Sequence, residues 1–165
     1  MGDHLLGKQA KLKTDEENKK ALFAAIKQGN LPLLKRIFES EFVDLNCRNE
    51  VGQTPLHVAS HIGALDCVEF LLRNRASPNE QDNEGCTPIH CAAFFNHPKI
   101  LLLLVKEAED LELRDIDGNT ALSKAVFRGN TKCTKILIDC GASVECADND
   151  GITPLHIAAY QNHPY

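Results

Sequence analysis

Gly85-Cys86-Thr87-Pro88-Ile89-His90 decides how this chain folds, because the stretch returns. Gly52-Gln53-Thr54-Pro55-Leu56-His57 stands 33 residues before it. Gly118-Asn119-Thr120-Ala121-Leu122-Ser123 and Gly151-Ile152-Thr153-Pro154-Leu155-His156 follow at the same interval. A fixed period of this length means equal supersecondary units stacked in a line rather than one closed globule. Within a unit, Thr54 is placed to cap a helix whose first-turn Pro55 has no N–H to lose.

Outward from the capped helix, Leu56, Ala59 and Ser60 lead to a turn at Gly63. A second helix then carries Val68, Leu71 and Leu72 at the three-and-four spacing of one buried face, repeated as Leu101, Leu104 and Val105 and then as Leu137 and Ile138. Small residues at Ala59, Ala92, Ala93, Ala125, Ala158 and Ala159 let neighbouring helices approach closely. Helices this short are marginal alone in water, so stacking must supply their stability. Between units, 79–85 and its equivalents are polar and end in Gly, which reads as a turn projecting as a finger.

The pattern resembles the ankyrin repeat: three of the four copies carry Thr-Pro-Leu/Ile-His in register, and the likeness covers 46–165, with a weaker copy over about 15–45. The resemblance implies an all-α solenoid of stacked helix-turn-helix repeats with β-hairpin-like finger loops. Expected divisions are a disordered basic tail at 1–13, then a repeat domain at 14–165. That domain comprises a degenerate N-terminal repeat at 14–45, full repeats at 46–78, 79–111 and 112–144, and an incomplete one at 145–165.

Thr14-Asp15-Glu16-Glu17 has the form of a capping box with acidic residues in the first turn, predicting a helix over about 15–28. Leu22, Ala25, Gly29 and Asn46 align with Leu56, Ala59, Gly63 and Asn79 if one residue is inserted near 41–43. The copy at Gly118 departs from the pattern with Ala121 and Ser123. Arg75 and Ala108 stand where a glycine usually ends the second helix, and a side chain in a left-handed helix end costs on the order of 1 kcal/mol. Gly151 opens a fifth unit, but Tyr165 arrives where its second helix should begin, leaving Leu155 and Ile157 poorly covered. The chain is then either a piece of a longer array with further repeats, the reading favoured, or is capped by another chain, as in self-association.

Composition narrows the function. The longest apolar runs, 21–26 and 100–105, are too short for a membrane span, and no signal core or acylation motif follows Met1-Gly2, so the expected address is cytoplasm or nucleus. Of seven cysteines, Cys67, Cys91 and Cys133 fall in apolar repeat columns and read as small core residues, while Cys86, in a finger-tip column, reads as the most exposed thiol. No Cys/His spacing matches a metal site, no cofactor motif occurs, and His57, His90 and His156 are one structural repeat position, so the chain is read as non-enzymatic. Residues 1–36 carry eight Lys/Arg against four Asp/Glu, and 37–165 carry ten against nineteen. Nucleic acid on the repeats is therefore not expected. A weaker reading gives Lys8, Lys11, Lys13, Lys19 and Lys20 a nucleic-acid or lipid contact.

In ankyrin proteins partners usually lie in the concave groove between finger tips and the ends of the first helices. In those helix-end columns stand His61 and Ile62, Phe94 and Phe95, Phe127 and Arg128, Tyr160 and Gln161. Four of the chain's aromatic side chains occupy eight positions that usually face solvent, and aromatic and Arg side chains dominate interface hot spots. Two readings stay open: a protein-binding groove, or Phe94, Phe127 and Tyr160 stacking on one another to stiffen the solenoid. On the fingers, Asp82, Asp115 and Asp148 align with Asn49 as turn residues, whereas Glu50, Glu84, Asp117 and Asp150 are less well explained by turns. The expected partner is a protein segment with basic residues beside apolar ones. Its reader is then a scaffold or adaptor, or alternatively the substrate-recruiting or regulatory arm of a larger enzyme or channel.

Overall fold

The computed structural model describes residues 3–40 and 43–161, with side chains at 15–39 and 43–161. Nine helices are seen among the described residues: α1 (Asp3–Lys27), α2 (Leu31–Ser40), α3 (Pro55–Ile62), α4 (Leu65–Arg73), α5 (Pro88–Phe94), α6 (Pro98–Glu107), α7 (Ala121–Phe127), α8 (Thr131–Asp139) and α9 (Pro154–Tyr160). The odd-numbered helices pack in one row and the even-numbered in a second; α1 to α8 pack in pairs, and each helix packs against its equivalent in the neighbouring unit. The core runs continuously between the rows from Leu22, Ile26 and Leu34 through Leu56, Leu71, Ile89, Leu101, Leu104 and Leu122 to Leu137. No described helix is long and apolar enough to cross a membrane.

Short helices need their ends satisfied, and the repeated Thr and His do this together. Thr87 Oγ1 accepts from His90 N at 3.3 Å, while His90 Nδ1 accepts from Thr87 N at 3.2 Å. The imidazole thus replaces the carboxylate of the usual capping box. Thr153 and His156 repeat the arrangement. In the unit that lacks His, Thr120 still accepts from Ser123 N at 3.3 Å, but the reciprocal half is gone.

The fingers are hairpin-like turns, with no strand among the described residues. In the first, Gly52 N donates to Asn49 O and Asn49 N donates to Gln53 O, while Asn49 Oδ1 accepts from Val51 N and Gln53 N. Asp82, Asp115 and Asp148 do the same in their fingers. Gly52 has φ +78°, and a Cβ there would sit 2.3 Å from Asn83 Oδ1 of the next finger, so the position needs glycine twice over.

Three expectations change. The helix read from Thr14 begins earlier: α1 reaches back to Asp3 through residues read as a disordered tail, a stretch rich in the helix formers Leu, Lys, Gln and Ala. Of the two non-glycine helix ends, Arg75 does take the left-handed conformation at φ 65°, but Ala108 avoids it with an extended backbone at φ −77° and ψ 137°. Only Arg75 carries the conformational cost there. Most of the insertion placed near 41–43, and the chain end at 162–165, lie outside the described residues.

Candidate functional site

The ends of α3, α5 and α7 and the tips of the fingers form one side of the solenoid, where a cleft of about 280 Å³ opens around the third unit. Its lining includes His61, Glu84, Phe94 and Phe95 from the sequence reading, together with Asp82 and Lys124. The rings do not form the expected ladder of Phe94, Phe127 and Tyr160. Instead His61 lies against Phe95 at a centroid distance of 4.0 Å, Phe95 meets Phe94 edge-on at 5.1 Å, and the Arg128 guanidinium sits 4.8 Å over the Phe94 ring. One line of flat groups therefore crosses three units diagonally, because the side chain of each helix end reaches a neighbour one column over. Arg128 over Phe94 is a cation–π contact worth about 0.5–1 kcal/mol at an exposed site.

Phe127 and Tyr160 stay outside this line and are more open, at 53 % and 92 % exposed. Ile62 is 41 % exposed at the end of α3. On the fingers, Glu84, Asp117 and Asp150 share one column and all are exposed, but Glu50 does not belong to it. The finger-to-finger backbone bonds set the register: Asn83 N donates to Val51 O, Ile116 N to Glu84 O, and Asn149 N to Asp117 O. Val51, not Glu50, is the first member of the acidic column. The apparent edge from Glu50 to Asp150 is thus acidic only from the third unit onward.

The residue that composition and motif reading passed over is Lys124. It occupies the column of Val58, Cys91 and Ile157, so a cation stands where its neighbours are apolar. Its Nζ reaches Asp115 at 2.5 Å, and Asp115 is the buried turn residue of the third finger. Burial disfavours the charge on Lys124, but the hydrogen bond to Asp115 and that carboxylate's charge more than offset it, so its pKa is raised. The misfit of Lys124 with its column was the available signal. Asp115 is thereby neutralised, leaving Asp82 and Glu84 as the carboxylates around the cleft.

The remaining polar groups of the cleft are committed to structure. His90 Nδ1 accepts from Thr87 N, so its proton lies on Nε2, which donates to Asn119 O of the next finger at 3.0 Å. His57 repeats this to Cys86 O at 2.9 Å. Burial holds both imidazoles below the usual histidine range. Cys86 is not the open thiol expected of it: it is half-buried, and burial pushes it up to about 11, with Lys124 pulling the other way. Cys140 is the exposed one. No cluster of three potential metal ligands occurs among the described residues.

A second cleft, about 450 Å³, lies at the other end of the same side, between α1 and the first finger. It is lined by Lys19, Lys20, Phe23 and Lys27 of α1 and by Glu50 and Val51 of the finger.

These features agree with what the chain resembles. The family description "Ankyrin repeats (3 copies)" matches residues 3–82, 22–115 and 102–165. Human ankyrin repeat domain-containing protein 29 is 44% identical over 61 residues, 37% of this chain and 20% of that protein. Rat ankyrin repeat and SAM domain-containing protein 6 is 39% identical over 72 residues, 43% of this chain and 8% of that protein. The E3 ubiquitin-protein ligase Ufd4 of Drosophila melanogaster is 37% identical over 59 residues, 36% of this chain and 2% of the ligase. The likeness thus spans a fifth or less of each relative. With the repeated capping box, the two helix rows and the stacked fingers in place, the chain belongs to the ankyrin-repeat family.

Proposed function

We propose that this chain is a scaffold or adaptor that grips a segment of a partner protein in its concave groove, with the cleft of the third unit as the anchor point. Ankyrin repeats are generally protein–protein interaction modules and typically not enzymes. The observation that carries the finer reading is the line His61, Phe95, Phe94, Arg128 beside Asp82 and Glu84. Flat, partly exposed groups of this kind lose few rotamers on burial and dominate hot spots. An apolar or aromatic side chain of the partner lies in the cleft against the edge of this line of rings, and a neighbouring Lys or Arg meets Glu84, with Asp117 and Asp150 further along the finger edge. Seven free thiols suit a reducing compartment, supporting cytoplasm or nucleus as its location.

Selection of a random peptide library on the whole chain tests this. Retained peptides should pair an aromatic or branched apolar residue with Lys or Arg. Phe94→Ala/Phe95→Ala should weaken them at least about tenfold while the melting temperature moves by no more than about 3 °C. Glu84→Lys, on an exposed side chain, should weaken them less and reduce their salt dependence. Peptides indifferent to both variants would show that the groove is not the site.

A further inference from the structure

The two clefts on the concave side carry opposite charge. At the first, Lys20 and Lys27 are exposed on α1 and Lys19 is half-exposed, so three ammonium groups outnumber Glu16, 3.7 Å from Lys19, and the exposed Glu50, and the apolar floor is Phe23 with Val51, which is 55 % exposed. At the second, Lys124 is spent on Asp115, so Asp82 and Glu84 set the sign, and Asp117 and Asp150 extend it towards α9. The change of sign falls at the first finger because Val51 takes the place that Glu84, Asp117 and Asp150 fill in later units.

We propose that the groove is electrically polarised and reads a bipolar protein segment in one orientation: Asp or Glu beside an apolar residue over α1, then an aromatic or apolar anchor in the third-unit cleft, then Lys or Arg along the fingers. This rests on the concave groove being the binding site, and adds the second cleft, the acidic half of the partner and the order of the two halves. Inner helices α1, α3 and α5 are successive neighbours. At about 8–10 Å per helix step, the clefts lie about 16–20 Å apart, which an extended segment crosses in about five or six residues. The acidic residue and the central anchor should therefore be separated by about that number. A segment laid the other way puts carboxylates on Glu84 and ammonium groups on Lys20 and Lys27, and both ends are then repelled.

The test uses the peptides selected on the whole chain. Those that lose binding to Phe94→Ala/Phe95→Ala are aligned on their anchor, and their acidic and basic residues should fall on opposite sides of it, the acidic one at the stated spacing. For one such peptide, replacing the acidic residue by Lys should weaken binding at least about tenfold at low salt, a gap that closes as salt rises. Lys20→Glu/Lys27→Glu, on exposed side chains, should remove most of the gap by weakening the unaltered peptide and not its Lys version. If the peptides depend on the two Phe but carry basic residues only, or bind equally with either charge over α1, the polarity is wrong and the groove stands. If no selected peptide depends on the two Phe, both readings fall.

Discussion

The joints on either side of the third unit and the joint to the last unit differ mainly by one side chain. Across the first two, His57 and His90 each cap their own helix and donate to a carbonyl of the next finger, at Cys86 and Asn119. Across the last, Ser123 occupies the same column, and its hydroxyl lies 3.4 Å from Thr120 Oγ1. A hydroxyl on Cβ cannot span the distance that the imidazole bridges. That joint is bridged by Asn149, donating from N to Asp117 O and from Nδ2 to Ile116 O, and by Ser143 N donating to Glu112 Oε1. Equal sequence units are therefore not equally bridged: the last joint lacks the imidazole that ties the others to the next finger.

The largest expected effect is from removing the bridge. His90→Ala deletes a helix cap, a buried hydrogen bond and the ring's packing, and should lower stability by about 2–3 kcal/mol in urea unfolding. Ser123→Ala, in the same column, should lower it by less than about 1 kcal/mol. Equal losses would break the comparison.

Acid should act on the same two joints. Burial depresses the folded-state pKa of His57 and His90 below the unfolded value, so the unfolded chain binds protons first as pH falls. The stability these groups support is complete above about pH 6.5 and declines below it. Urea midpoints should fall from pH 7.5 to pH 5, and His57→Gln/His90→Gln should flatten that slope while lowering the plateau.

Restoring the missing bridge is the converse experiment. Ser123→His should reach Ile152 O, the counterpart of Cys86 O and Asn119 O, and add about 1 kcal/mol. The gain should appear as slower amide exchange in α9 relative to α5; exchange unchanged in α9 would mean that the finger already fixes the unit. The smallest effect lies in the outer row. Thr134 is buried in the column of Val68 and Leu101, and its hydroxyl has no hydrogen-bond partner. Thr134→Val should add about 0.5–1 kcal/mol to stability and leave α9 exchange unaltered.

Most of the architecture was legible because each unit restates it. Pro55, Pro88 and Pro154 mark helix starts, and the columns headed by Leu56 and Val68 mark the buried faces. The helix-end columns likewise located His61, Phe94 and Phe95 on the cleft. Three readings changed. Column spacing places a side chain along the solenoid but not its sideways reach, so the diagonal His61–Phe95–Phe94–Arg128 line replaced a ladder along one column. Glu50 looked continuous with Glu84 because composition is read by neighbourhood, although the period itself sets Val51 in the Glu84 column, the register that the backbone bond from Asn83 N to Val51 O also keeps. Cys86 looked exposed because its column is at a finger tip, yet the adjoining Lys124 and α5 half-cover it.

By itself, the 33-residue period determined that units stack, which face of each helix is buried and where the fingers turn. These follow from local preferences and from a hydrophobic pattern that is the same in every copy. Only the tertiary structure decided which rings touch, that Lys124 answers Asp115 rather than a partner, and that the lysines of α1 share a cleft with Val51 of the first finger. Those depend on distances between side chains of different units, which are set by how closely the helices and fingers pack rather than by any one unit's sequence.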